Sequence, residues 1–105
     1  MAVIHLNKAD FDVKIPAAPL AMVDFWAGWC GPCRMIAPVI EELGAQYEGR
    51  VLVGKVDVDA EGELAVRYGV MSIPTIIFFK NGKEIARKVG VMPAAAFTEV
   101  LEANL

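Results

Sequence analysis

The residues best equipped for chemistry lie in one tetrapeptide, Cys30-Gly31-Pro32-Cys33. Thiolates are both nucleophiles and metal ligands, so a Cys-x-x-Cys pair admits redox exchange or metal binding. A closed zinc site takes about four ligands. This chain has two Cys and one His, and His5 has no Cys or His beside it, so it reads as an ordinary structural histidine and the pair as redox-active. The pair also sits where an apolar strand ends and an amphipathic helix begins. The unpaired N–H groups of a first helical turn, and the positive end of the dipole, stabilise an anion there. Cys30 occupies that position. Relative to a free thiol with a pKa of about 8.5, a drop of one unit gives roughly eightfold more thiolate at pH 7. Cys33 lies one turn further on, in line with the apolar stripe of the helix, and is expected to be the more buried sulfur. Pro32 stiffens the turn between them, and Gly31 leaves the surface open to a substrate.

Three further features bear on that pair. Asp24 interrupts an apolar strand upstream of Cys30. It is either a strand-end carboxylate or a carboxyl kept protonated by burial, able to exchange a proton with Cys33. Lys55 on the next strand is either the charge partner of Asp24 or a solvent-facing lysine. Ile73-Pro74 opens a later strand, where proline marks either a plain boundary or a cis peptide beside the site. Trp29, immediately before Cys30, is expected at the surface, whereas Phe25, Trp26, Phe78 and Phe79 read as core.

The elements that position these residues follow from periodicity. Val3–Leu6 is a short strand, and Asn7 with Asp10 resembles a helix start, with Pro16 and Pro19 ending that helix. Met22–Ala27 is a buried strand, with Val23 and Phe25 on one face and Met22, Asp24 and Trp26 on the other. Cys33, Ile36, Ala37, Ile40, Leu43, Gly44 and Tyr47 mark an amphipathic helix that Pro38 is expected to kink. Val51–Val58 is a third strand, Asp59 a cap for a helix over Gly62–Tyr68, and Gly69 its stop. Thr75–Lys80 and Lys83–Val89 flank Asn81-Gly82, a two-residue hairpin signal. Gly90 ends the last strand, and Pro93 opens a final helix that reaches about Ala103. The order β-α-β-α-β-α-β-β-α predicts parallel early strands and an antiparallel hairpin.

With 105 residues, 56% of them hydrophobic and 22% charged, the chain reads as one domain over 1–105. Its apolar excess suits a sheet covered by helices on both faces. The net charge of −3 has both signs spread along the chain, and no Lys/Arg run offers a nucleic-acid face. The apolar stretch 15–23 contains two prolines and stops at Asp24, far short of the roughly 18 residues of a membrane span. Met1–Asn7 shows no secretory signal, which places the expected location in the cytoplasm.

Val23-Asp24-Phe25-Trp26-Ala27 followed by Trp29-Cys30-Gly31-Pro32-Cys33 resembles the active-site signature of the thioredoxin family. Tyr68-Gly69-Val70, Ile73-Pro74-Thr75, Phe79-Lys80-Asn81-Gly82 and Val89-Gly90 resemble family segments in their usual order, so the likeness covers nearly the whole chain. It implies an α/β thioredoxin fold, a five-stranded mixed sheet flanked by four helices. It implies a protein-disulfide reductase in which Cys30 attacks and Cys33 resolves, Asp24 carries the proton beside Lys55, and Pro74 is the cis proline facing the sulfurs. Gly31 and Pro32 would tune the pair, and substrates would pack around Trp29, Gly31, Pro32, Ile73, Gly90 and Val91. No cofactor is implied beyond the Cys30–Cys33 disulfide; NADPH would act only through a flavin-containing thioredoxin reductase, the expected reducing partner of a monomeric chain. Gly28 and Arg34 stand where many relatives carry an acidic residue and a lysine, and Met71 replaces a frequently basic one. Met92 stands where a Ser or Thr cap is usual.

Exported oxidases and isomerases of the same fold usually carry His between the cysteines, and glutaredoxins carry Pro-Tyr; Gly31-Pro32 favours reduction. A non-catalytic module lending an apolar surface to an assembly is the alternative from a different class.

Overall fold

A computed structural model describes residues 2–105. The elements are β1 (Val3–His5), α1 (Lys8–Ala17), β2 (Leu20–Trp26), α2 (Gly31–Gln46), β3 (Leu52–Asp57), α3 (Gly62–Arg67), β4 (Thr75–Lys80), β5 (Lys83–Val89) and α4 (Ala94–Asn104). The strands form one sheet in the order β1-β3-β2-β4-β5. β3 lies parallel to both β1 and β2, whereas β4 pairs antiparallel with β2 and β5. This is the mixed five-stranded sheet with four helices anticipated from the element order.

The alternation along β2 decides what each face buries. Leu20 and Met22 join Val53, Ile76 and Phe78 under α2 (Ile36, Ile40, Leu43) and α4 (Phe97, Leu101). Ala21, Val23 and Phe25 join Val56, Ile77 and Phe79 under Phe11 and Ile15 of α1 and Leu64 of α3. Asp24 therefore points to the α2–α4 side. With both faces covered, β2 is apolar almost throughout, the pattern of a central strand.

Local signals account for most boundaries. Asn7 caps α1, its Oδ1 accepting the Asp10 N–H at 2.7 Å. Asn81 and Gly82 both have positive φ, 51° and 84°, as the tight β4–β5 hairpin requires. Two expectations need correction. Pro16 lies inside the last turn of α1 rather than beyond its end. Asp59 does not cap α3: the cap position is Glu61, which makes no side-chain cap bond. Asp59 lies too far upstream to reach the orphan N–H groups of that helix, and the Glu61 carboxylate instead accepts the Lys8 N–H of α1 at 2.9 Å. α2 is helical on both sides of Pro38 without interruption.

Candidate active site

The α2 N-terminus is built around sulfur. Cys30 is the cap residue in extended conformation, Gly31 and Pro32 form the first turn, and the Cys33 N–H donates to Cys30 Sγ at 3.2 Å. Cys30 and Cys33 are joined in a disulfide across a Cα–Cα separation of 5.3 Å. Both residues are buried, 4% and 3% exposed, so the expected difference between the sulfurs is not visible in whole-residue exposure. It is visible in position. Cys30 lines an open groove of about 460 Å³ together with Trp29, Gly31, Pro32 and Ile73, and Cys33 does not. Ala27 packs with both cysteines, and Trp26, Val58 and Ile73 pack against that cluster.

The remaining expected residues fall at graded distances from the pair. Cys30 Sγ lies 3.7 Å from the Ile73 carbonyl oxygen, which brings the β4 approach directly onto the disulfide. The Ile73–Pro74 peptide is cis, and Pro74 itself is buried. Gly90, at a φ of 90° that favours glycine, donates its N–H to the Pro74 carbonyl at 2.9 Å and so ties the end of β5 to the same loop. Neither Gly90 nor Val91 lines the groove, although Val91 is exposed nearby in the chain. Trp29 is 69% exposed, and its indole N–H donates to Asp59 Oδ2 at 2.9 Å. Asp59 is thus a site residue that the linear pattern missed: an acidic residue after a strand reads as a helix cap, and only the fold brings it to Trp29. Val58 and Ala65 also line the groove and carried no functional signal in the linear pattern, whereas Val70 was marked only through the family-like segment Tyr68-Gly69-Val70.

Asp24 is 1% exposed, and neither carboxylate oxygen has a hydrogen-bond partner among the described residues. Loss of hydration disfavours its charged form, and the Lys55 charge opposes this only in part, so its pKa is pushed up to about 7. Lys55 is paired in register with Asp24 across β2–β3, but its Nζ sits 4.6 Å from the centre of the Trp26 ring. Among the described residues no group of three or more His, Cys, Asp or Glu side chains is placed to hold a metal ion. A disulfide at a helix N-terminus, with Cys30 on the wall of a largely apolar groove, is suited to thiol–disulfide exchange with a protein partner.

The thioredoxin family model matches residues 2–103. The chain belongs to the thioredoxin family. It is 50% identical to the thioredoxins of Staphylococcus aureus strains Mu50 and MW2 over 105 residues, covering 100% of both chains in each case. Among solved structures it is similar to a mutant thioredoxin from Halobacterium salinarum NRC-1, with a TM-score of 0.89 and 31% identity over 97% of this chain and 89% of that one. Thioredoxins are protein-disulfide oxidoreductases whose redox group is a disulfide and not a bound cofactor, and this family member carries that group as Cys30–Cys33. Family membership implies disulfide substrates and a thioredoxin reductase as partners. No helix among the described residues is long and apolar enough to cross a membrane.

Proposed function

We propose that the chain is a general protein-disulfide reductase of the cytoplasm, working as a monomer, with Cys30 as the attacking thiolate and Cys33 as the resolving thiol. The observation that carries this reading is the asymmetry of the pair: Cys30 caps α2 and lines the groove, and Cys33 is set behind it. In the reduced state the α2 N–H groups and dipole favour a thiolate on Cys30. That thiolate attacks one sulfur of a substrate disulfide, forms a mixed disulfide and expels the other sulfur as a thiolate. Cys33 then loses its proton and attacks Cys30 Sγ, which closes the Cys30–Cys33 bond and releases the second substrate sulfur. Asp24, with a pKa of about 7, is matched to accept the Cys33 proton near neutral pH. Lys55 sets how readily it does so. Trp29, Ile73, Gly90 and Val91 offer apolar surface and main chain to an extended substrate segment, with Pro74 shaping the loop. Two electrons from NADPH, delivered by thioredoxin reductase, return the pair to dithiol.

Trapping experiments test the division of labour. Cys33→Ser should accumulate covalent adducts with a disulfide substrate such as insulin on non-reducing gels, and Cys30→Ser should form none. Equal trapping by the two variants, or by neither, would overturn the assignment.

A further inference from the structure

We propose that Met71 is a peroxide-sensitive modification site on the groove, where oxidation of the thioether to the sulfoxide weakens capture of protein substrates without altering the dithiol chemistry. Met71 is 94% exposed and lines the groove together with Trp29, Cys30 and Ile73. The other described methionines are placed differently. Met22 is fully buried under α2 and α4, Met92 packs against the same core, and Met35, though 68% exposed on α2, is not a groove residue. In the disulfide state no free thiol competes for an oxidant among the described residues. Met71 is then the soft sulfur that the groove presents to solvent.

The reaction is complete with hydrogen peroxide as oxidant. The Met71 sulfur lone pair attacks one peroxide oxygen, an S–O bond forms, the O–O bond breaks, and water leaves; sulfur is oxidised by two electrons and peroxide reduced by two. The product puts a strongly polar acceptor on a wall whose neighbouring side chains, Ser72 apart, are the apolar Ala65, Val70 and Ile73. An apolar protein segment seated there must strip water from that oxygen and brings no donor to replace it, and binding weakens. A small disulfide reaching only Cys30 does not meet the wall. The inference rests on the groove being the docking surface of the proposed reductase.

The test uses the whole chain in its disulfide form, treated with hydrogen peroxide and then cleared of it with catalase. Peptide mass spectrometry should find one added oxygen on Met71. With thioredoxin reductase, KM for insulin should rise about three- to tenfold with kcat unchanged, and reduction of hydroxyethyl disulfide should change by less than about twofold. Each variant is compared with its own untreated sample: Met35→Leu should still show the rise, Met71→Leu should not, and methionine sulfoxide reductase should reverse it in the parent. An unoxidised Met71, an unmoved KM after its oxidation, or a rise that survives in Met71→Leu would overturn the proposal. Failure of the untreated protein to reduce insulin would overturn the reductase reading itself, and this proposal with it.

Discussion

Lys55 is the cross-strand neighbour of Asp24, yet its ammonium group rests over the Trp26 ring, and neither Asp24 oxygen receives a hydrogen bond from the described residues. Cation–π attraction holds the lysine head over the indole. The carboxyl is left buried, with an attractive charge nearby but no hydrogen bond from it. Its elevated pKa follows from that arrangement, and so do the first two predictions.

Asp24→Asn should stabilise the disulfide form at neutral and alkaline pH. The folded-state pKa of about 7 lies above the ordinary value of 3.8. Below roughly pH 4 both folded and unfolded states carry the proton and the residue is neutral to stability. Between that point and about 7 the unfolded state releases the proton and the folded state keeps it, so stability falls as pH rises; above 7 the cost is fully present, on the order of 4 kcal/mol. Urea titrations should show a gain of a few kcal/mol for the variant at pH 8 that shrinks toward zero near pH 4. A loss of stability at pH 8 would contradict the isolated buried carboxyl.

Lys55→Met should move the Asp24 titration upward, because the lysine charge is the influence that lowers it. Methionine keeps an apolar stem against Trp26 while removing the charge. A carboxyl-carbon NMR titration reads the shift directly, and the pH profile of the resolution step should move to higher pH with it. An Asp24 titration unchanged in the variant would show that Lys55 does not act on the carboxyl.

Asp59→Ala should weaken protein substrates through Trp29. The Asp59 carboxylate fixes the indole by the 2.9 Å bond to its N–H. Losing an exposed bond to a charged acceptor is worth about 1 kcal/mol, or about fivefold in kcat/KM, expressed in KM rather than kcat. Asp59→Asn retains an acceptor oxygen and should restore most of the loss. A kcat effect with unchanged KM would place Asp59 elsewhere in the cycle.

Gly54→Ala should destabilise the fold at a position remote from the sulfurs. A Cβ there would meet Leu6 Cδ1 at 2.5 Å and the Ile4 carbonyl oxygen at 3.3 Å. Leu6 is itself buried and the Ile4 oxygen is backbone, so neither yields cheaply. The overpacking should cost about 1–3 kcal/mol in denaturant unfolding. A variant as stable as the parent would mean that β1 shifts freely against β3.

What the sequence determined is local in origin. The 2.0 and 3.6 periods, together with glycine, proline and turn signals, placed the described elements in order; Asn7 and Asn81-Gly82 dictated their cap and turn through side chains and φ values that depend only on near neighbours. The Cys30–Cys33 spacing at a strand-to-helix junction carries its chemistry for the same reason, since one helical turn brings the sulfurs together whatever surrounds them. Tertiary structure decided the rest. Which face of the sheet Asp24 shares, and that Lys55 faces Trp26 rather than bonding to it, depend on strand order and register between segments some thirty residues apart. Asp59 reads as a cap in the linear pattern because capping is a local rule, while its bond to Trp29 spans 30 positions. The approach of the Ile73 carbonyl to Cys30 spans 43. Contacts of that kind arise from the packing of the whole sheet, and no periodicity in a short window encodes them.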